Sequence, residues 1–201
     1  MTKIKICGLF RPCDIDFVNE AKPDYVGFIL NFPKSHRNIT PERAAQLRHA
    51  LLPGIRAAGV FVDQPLGTVL SAAETAGLDV IQLHGHEDDE FILKLREKTD
   101  LPVWKAFKVR SAEDLGEAAE SAADEVLLDN GYGTGTAFDW SCAASFSRPF
   151  ILAGGLTPEN IPEAIRTLRP KILDISSGVE TAKVKDREKI LAAVRAVRAE
   201  G

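Results

Sequence analysis

The sequence is poor in cysteine and has no excess of positive charge. Its three cysteines, Cys7, Cys13 and Cys142, are an odd number without the paired spacing of metal ligands, so neither a disulfide framework nor a zinc ribbon is expected. Lys and Arg number 25 against 29 Asp and Glu, which gives a formal net charge of −4. Nucleic-acid binders normally carry a basic face, so we expect no nucleic-acid partner. A locally positive pocket for an anionic metabolite is compatible with this charge.

Long apolar runs are also lacking. No segment reaches the length that spans a bilayer, and the first residues lead directly into a strand-like pattern rather than an apolar leader. We therefore expect a cytoplasmic protein without a membrane partner. The length of 201 residues suits one domain, and no Pro/Gly/Ser-rich linker or shift in composition divides it. Residues 1–201 are predicted to form a single domain.

Short β-branched runs alternate with helical stretches along the whole chain. The predicted strands are residues 3–7, 25–29, 57–62, 80–83, 103–107, 125–129, 150–153 and 172–176. Helix-start signals follow several of them, at residues 40–42, 111–114 and 157–159, and a last amphipathic helix runs from Asp186 to the end. Strict alternation implies parallel pairing with right-handed crossovers. The fold class is therefore α/β, and we predict a (βα)8 TIM barrel. A doubly wound open sheet is the alternative, since a count of strands does not prove closure.

Polar side chains interrupt several of these strands near their carboxyl ends. Parallel strands covered by helices are usually apolar throughout. The exceptions are Lys5, Cys7, Gln82, His84, Asp129, Asp174 and Ser176. In a closed barrel these side chains would point inward at the rim where barrel enzymes assemble their active sites.

Each of these residues also has a structural interpretation. A cysteine at a strand end is more often a packing residue, and an aspartate there often caps the next helix. His84 could be a buried structural histidine, and the pair His84 and His86 is too short a signal for a metal site. We therefore expect no bound metal.

Glycine-rich segments follow the last two strands, at residues 153–160 and 176–180. Glycines let backbone amides approach an anion closely, and the loops after strands seven and eight of barrels recurrently bind phosphate. We therefore predict a phosphate site formed by these two loops, although two ordinary tight turns would show the same pattern. A third glycine-rich segment, residues 131–135, lacks the spacing of a dinucleotide loop and is interpreted as a mobile loop over the site.

Motifs spread over almost the whole chain resemble those of the phosphoribosylanthranilate isomerase family of tryptophan biosynthesis, and they occur in the family's order. They are KICGL at 5–9, FPKSHR at 32–37, GVFV at 59–62, QLHG at 82–85, LLD at 127–129, GTG at 133–135, FDW at 138–140, LAGGLTPEN at 152–160 and DISSGVE at 174–180. This match is more specific than an analogy of fold. Phe10 and residues 181–186 depart from the family pattern and leave loop geometry in question.

The resemblance implies a role for individual residues. Cys7 would be the general base, Asp129 the general acid, and Arg37 the group that holds the anthranilate carboxylate of a small phosphorylated substrate. Gly155, Ser177 and Gly178 would bind the phosphate, with Gly154 beside them, and we expect His84 and Asp174 to contact the substrate. The family uses neither metal nor organic cofactor, and its members could be monomers or homodimers.

The implied reaction, an Amadori rearrangement, sets the protonation states. The acid protonates the furanose ring oxygen, so Asp129 must start protonated, and the base removes the C2 proton, so Cys7 must be a thiolate. Unperturbed groups would be in the opposite states, because aspartate titrates near ~4 and cysteine near ~8.5. Apolar residues 126–128 should raise the pKa of Asp129 by desolvation, and we hypothesise that Lys5 lowers the pKa of Cys7.

Three rival functions remain at this point. A metal-dependent epimerase would need metal-binding His and Asp residues at several strand ends, and these are not found. A histidine-pathway aminoaldose isomerase would be expected to use a carboxylate base where this chain has Cys7. A non-catalytic barrel that binds the same phosphosugar is disfavoured by the joint presence of Cys7, Asp129 and Arg37.

Overall fold

The protein is described by a computed structural model covering residues 1–109, 114–129 and 143–200. Its strands are β1 (Lys3–Cys7), β2 (Tyr25–Leu30), β3 (Asn38–Ile39), β4 (Arg56–Phe61), β5 (Val80–Leu83), β6 (Val103–Lys108), β7 (Glu125–Asp129), β8 (Phe150–Ala153), β9 (Ile172–Ile175), β10 (Glu180–Thr181) and β11 (Val184–Lys185). Its helices are α1 (Pro12–Ala21), α2 (Pro41–His49), α3 (Leu66–Ala76), α4 (Asp89–Arg96), α5 (Leu115–Glu120), α6 (Ile161–Leu168) and α7 (Arg187–Ala199).

The sheet closes on itself. Parallel pairing runs in the order β1-β9-β8-β7-β6-β5-β4-β2, and β1 also pairs with β2, with Cys7 opposite Gly27. On its other side β1 pairs with β9, with Lys5 opposite Asp174. The eight-stranded barrel is thereby confirmed, and the doubly wound open sheet is excluded because an open sheet has two unpaired edges.

Local signals in the sequence account for the helix starts. Thr40 accepts a hydrogen bond from the Arg43 amide at 3.2 Å, and Pro41 follows at the first helical position of α2. Asp186 caps α7 in the same way through the amides of Glu188 and Lys189. The helix start predicted at residues 111–114 falls mostly outside the described residues, where only Asp114 is placed, directly before α5.

Two apolar layers hold the barrel together. One fills its interior and includes Tyr25, Trp104, Leu127 and Ile151. The other lies between the strands and the surrounding helices, as expected for side chains that alternate between the two faces of each strand. The interior layer fills the middle of the barrel and separates the cavity at the carboxyl ends of the strands from a second one at their amino ends, which is lined by Tyr25, Arg56 and Trp104. Within the described ranges, no helix is both long and apolar enough to cross a membrane.

The segment after β9 contains structure that the sequence did not predict. A 3-10 turn over Ser177–Val179 leads into an antiparallel hairpin of β10 and β11. The hairpin turns at Ala182 and Lys183, both with positive φ (51° and 64°), which is the backbone of a tight two-residue turn. Four predicted strands also differ by one residue. β2 extends to Leu30 and β6 to Lys108, β4 is shifted to Arg56–Phe61, and β9 ends at Ile175.

Candidate active site

A cavity of about 260 Å³ opens at the carboxyl ends of the strands. Eight of the nine site residues predicted from the sequence line it: Cys7, His84, Asp129, Gly154, Gly155, Asp174, Ser177 and Gly178. The ninth, Arg37, is not part of the lining but packs over Gly8, directly after Cys7. Phe32 and Ser35, from the segment that leads to Arg37, complete that wall. The cavity is thus lined by residues of seven strands (β1, β2, β4, β5, β7, β8 and β9) and of the loops that follow them.

Cys7 lies at the end of β1 in a buried and charged environment. It is 8% exposed, and Lys5 beneath it on the same strand face is fully buried. The Lys5 ammonium donates a hydrogen bond to the Asp174 carboxylate at 2.8 Å. Burial lowers the pKa of Lys5, but the negative charges of Asp174 and Cys7 outweigh this effect, and the pKa of Lys5 is raised. The surroundings of Lys5 therefore favour its charged form, next to the thiol.

The pKa of Cys7 is nevertheless raised above its ordinary value. Burial is the largest cause, Lys5 acts in the opposite direction, and the Asp174 carboxylate raises the pKa again. The expectation that Lys5 lowers the pKa of Cys7 is correct for the direction of that interaction but wrong for the net result. The sequence showed the cation but not the desolvation, nor the carboxylate that compensates its charge.

Gln82, His84 and Asp129 form a chain of polar contacts across the cavity. The Gln82 amide nitrogen lies 3.2 Å from His84 Nδ1, and His84 Nε2 lies 3.3 Å from Asp129 Oδ2. With the Gln82 amide nitrogen as the donor, Nδ1 accepts, and a neutral imidazole then carries its proton on Nε2, on the side of Asp129. The three residues before Asp129 on β7 are fully buried and apolar, as the sequence predicted.

Two buried acceptors in this cavity have no hydrogen-bond partner among the described residues. They are Gln82 Oε1 and Asp174 Oδ1. Buried acceptors without a partner are costly, and at the wall of a cavity they are suited to the hydroxyl groups of a ligand. The sequence marks Gln82 only as a polar residue near a strand end and does not predict its hydrogen-bonding role in the site.

The loops after β8 and β9, from which the sequence predicts phosphate contacts, meet at the wall of the cavity. Gly154 and Gly155 have positive φ (89° and 65°), a conformation that side chains disfavour. A Cβ atom on Gly178 would lie 1.8 Å from the Leu156 carbonyl oxygen, so the second loop packs directly on the first. Both loops line the cavity, and loops rich in glycine let a phosphate group approach their backbone amides closely.

Arg37 is engaged by a residue that the sequence did not single out as functional. Its Nε and Nη2 atoms donate to the two carboxylate oxygens of Glu180, each at 2.7 Å. Glu180 also accepts from the buried Lys185 at 2.6 Å. Both residues come from the β10–β11 hairpin: Glu180 is the last residue of the family motif at 174–180, and Lys185 lies in the stretch 181–186 that departs from the family pattern. The concentration of charge there was visible, but its partner lies 143 positions away in the chain.

Other predicted features stay away from the cavity or outside the described residues. His86 is exposed and contacts Asp63, and it does not line the cavity that contains Cys7. In the described ranges, no group of three or more His, Cys, Asp or Glu side chains is arranged to hold a metal ion. The predicted loop at residues 131–135, the FDW segment at 138–140 and Cys142 lie outside the described residues.

Comparison with known proteins identifies relatives over the whole chain. The sequence model of the family described as "N-(5'phosphoribosyl)anthranilate (PRA) isomerase" matches residues 4–196. The N-(5'-phosphoribosyl)anthranilate isomerase of Thermoanaerobacter sp. (strain X514) is 43% identical over 205 residues, which cover 98% of each chain.

Solved structures agree with this relationship. A phosphoribosyl anthranilate isomerase in complex with reduced 1-(o-carboxyphenylamino)-1-deoxyribulose 5-phosphate is 35% identical, with a TM-score of 0.87 over 99% of this chain and 100% of that one. A structure of monomers generated from the dimeric phosphoribosylanthranilate isomerase of Thermotoga maritima is 37% identical, with a TM-score of 0.88 at the same coverage.

Proposed function

This chain belongs to the N-(5'-phosphoribosyl)anthranilate isomerase family, and we propose that it catalyses the aldose-to-ketose rearrangement of that substrate with Cys7 as general base and Asp129 as general acid. The observation that carries the proposal is the shared cavity. A thiol from β1 and a carboxyl group from β7 face one space whose wall is the pair of glycine-rich loops after β8 and β9. This is the layout required by a phosphosugar that is deprotonated at one carbon and protonated at its ring oxygen.

The reaction proceeds in two proton transfers. Asp129 gives its proton to the furanose ring oxygen as the C1–O bond breaks, and the nitrogen lone pair forms an iminium at C1. The Cys7 thiolate then removes the C2 proton, and the C2–H electron pair neutralises the iminium to give an enolamine. The enolamine tautomerises to the aminoketose. The iminium is itself the electron sink, so the base needs only the right position and protonation state.

The remaining site residues have binding roles in this proposal. Gly154, Gly155, Ser177 and Gly178 surround the phosphate, and Arg37 receives the carboxylate of the anthranilate ring, because a guanidinium matches a carboxylate in two parallel hydrogen bonds. His84 directs its Nε2–H toward Asp129 and contacts the substrate beside it. The free oxygen of Asp174 accepts a hydrogen bond from a substrate hydroxyl. No metal or organic cofactor takes part in the proposed mechanism.

The partner of the protein is, in this proposal, a small phosphorylated molecule bound in the cytoplasm. The related enzyme of Thermotoga maritima is described as dimeric, and monomers have been generated from it. A monomer or a homodimer is proposed for this chain, and light scattering of the purified protein distinguishes the two.

The function is tested by growth and by turnover. The gene should restore growth without tryptophan to a strain that lacks this isomerase, and the purified protein should convert N-(5'-phosphoribosyl)anthranilate without added metal. Folded Cys7→Ser and Asp129→Asn variants serve as matched negative controls. A folded wild-type protein that binds the reduced product analogue but shows no turnover would instead support a non-catalytic binding barrel, and the proposal would be wrong.

A further inference from the structure

The side chain of Arg37 reaches the active site through a gap left by a glycine. Gly8 has a φ of 79°, and a Cβ atom there would lie 2.4 Å from Arg37 Cδ. Arg37 therefore passes over the backbone directly after Cys7. Its side chain is 18% exposed, so the guanidinium lies mostly within the protein, and Phe32 and Ser35 of the same segment line the cavity.

Glu180 occupies one hydrogen-bonding edge of this guanidinium. The edge consists of Nε and Nη2, and both atoms donate to Glu180. A guanidinium has a second two-donor edge, formed by Nη1 and the other hydrogen of Nη2. Among the described residues, no protein acceptor contacts Nη1. The second edge is therefore available to a ligand.

Glu180 is itself held in place by a buried lysine. Lys185 is 2% exposed and donates to Glu180 at 2.6 Å and to the Ser176 carbonyl oxygen at 3.0 Å. Ser176 in turn donates through its hydroxyl to the Cys7 carbonyl oxygen at 3.1 Å. The network thus connects Arg37 to the backbone of the proposed base.

Glu180 could in principle act as a competitor that occupies Arg37 until the substrate displaces it. The contacts argue against this role. Movement of Glu180 would separate Arg37 and Lys185 from their common carboxylate, and a buried cation without a partner is strongly unfavourable. A residue fixed by two cations on a short hairpin is suited to hold a partner in place.

We infer that Glu180 is a positioning residue, which, anchored by Lys185, holds the Arg37 guanidinium beside Cys7 with its Nη1 edge presented to the carboxylate of the substrate. The inference rests on the proposed function, because it concerns the same aromatic carboxylate. It adds a residue pair, Glu180 and Lys185, whose effect on the substrate is exerted entirely through Arg37.

The test compares two probes by equilibrium binding. One is reduced 1-(o-carboxyphenylamino)-1-deoxyribulose 5-phosphate, and the other is the same compound without the carboxyl group. The wild type should prefer the carboxylated probe by about tenfold or more, as expected for a charge-assisted bidentate contact. Glu180→Gln should reduce this preference to roughly threefold or less and leave the affinity for the other probe unchanged. With substrate, it should raise KM much more than it lowers kcat.

The controls separate positioning from general loss of structure. Arg37→Met should lose the preference in the same way, and adding Glu180→Gln to it should have no further effect. Glu20→Gln removes a comparable Glu–Arg pair, that of Glu20 with the Nε and Nη2 atoms of Arg187, from the exposed surface. It should leave both affinities unchanged.

Each outcome decides the question. If Glu180→Gln weakens both probes equally, its role is only structural, and if the preference persists, Glu180 does not position Arg37. Either result overturns the inference and leaves the proposed function standing. A wild type without preference for the carboxylated probe contradicts the proposed function and the inference together. If Glu180→Gln does not fold, a structure of the wild type with the carboxylated probe decides, because Glu180 displaced from Arg37 overturns the inference.

Discussion

The Lys5 ammonium and the Asp174 carboxylate form a buried ion pair at 2.8 Å, and the two charges act on Cys7 in opposite directions. Lys5 stabilises a thiolate, whereas Asp174 destabilises it. The pair therefore contributes less to the ionisation of Cys7 than Lys5 alone would, and burial leaves the pKa of the thiol raised. Substituting each partner separately should reveal the two opposing effects.

Lys5→Met should raise the pKa of Cys7 further, and Asp174→Asn should lower it. The pH dependence of thiol alkylation, in a Cys13→Ser and Cys142→Ser background, measures both shifts. Both variants are also expected to unfold more easily, since removing one partner of a buried pair costs about 3–5 kcal/mol. An unchanged pKa in Lys5→Met removes Lys5 from the mechanism, and shifts of equal sign in the two variants contradict the electrostatic account.

The proposed roles predict different kinetic effects for the acid, the base and the carboxylate-binding residue. Cys7→Ser and Asp129→Asn should lower kcat by about 10²- to 10⁴-fold with little change in substrate affinity, because each removes one proton-transfer group. Arg37→Ala should chiefly raise KM, since it removes a binding contact. Steady-state kinetics on folded protein measures the separation. Similar, modest losses in all three variants would contradict these assignments.

The sequence predicted the barrel because each of its strands carries its own local signal. Runs such as Glu125–Asp129 and Phe150–Ala153 are short, rich in branched apolar residues and followed by glycine or a polar residue, and their boundaries are confirmed without change. The cavity lining followed from the same pattern, since polar residues at the carboxyl ends of parallel strands must converge once the sheet closes. That these polar residues lie close together can therefore be predicted from the sequence once the sheet is assumed to close into a barrel.

The parts of the site that were not predicted depend on long-range pairing or burial. Glu180 and Lys185 lie in a hairpin whose partner, Arg37, comes from the second βα unit, and no local pattern reports such a contact. Lys5 could be placed below Cys7 by the alternation of side chains along β1. The degree of burial of the thiol, which determines the sign of its net pKa shift, follows only from the packed structure.

The contact of Gln82 with His84 predicts the tautomer of the imidazole. In the wild type, ¹⁵N NMR should show His84 with its proton on Nε2, because Nδ1 accepts from Gln82. Gln82→Met keeps the volume but removes the donor, so the tautomers should mix and kcat should fall by about tenfold through loss of the orientation of His84. Gln46→Met on the exposed part of α2 provides a control. A wild-type His84 protonated on Nδ1 would disprove this arrangement.

The packing of the phosphate loops predicts a severe effect at Gly178. Gly178→Ala should destabilise the protein by about 2–3 kcal/mol or more and raise KM, because the new methyl group would meet the Leu156 carbonyl oxygen at 1.8 Å. Gly67→Ala, in α3, is the matched control, since a Cβ atom there has nothing within 4 Å. It should stabilise the protein by roughly 0.5–1 kcal/mol. Chemical denaturation and substrate titration measure the two effects, and a neutral Gly178→Ala would show that the loops are not in contact.

The Glu180 network predicts a loss of stability in acid. Burial raises the pKa of Glu180, but the hydrogen bonds from Arg37 and the positive charge of Lys185 outweigh this and lower it from 4.5 to about 2. A carboxyl group whose pKa is lower in the folded state stabilises the protein above its unfolded pKa, and this contribution disappears as the pH falls from 4.5 toward 2. The shift corresponds to roughly 3 kcal/mol of unfolding free energy.

Urea denaturation at a series of pH values measures this effect. As the pH falls, the unfolding free energy of Glu180→Gln should decrease less than that of the wild type, and the two curves should approach each other near pH 2. Glu20→Gln, at an exposed ion pair, should change the unfolding free energy by no more than about 1 kcal/mol at any pH. Parallel curves for the wild type and Glu180→Gln would mean that the pKa of Glu180 is the same in the folded protein and in the unfolded chain. Arg37 and Lys185 would then not stabilise its carboxylate.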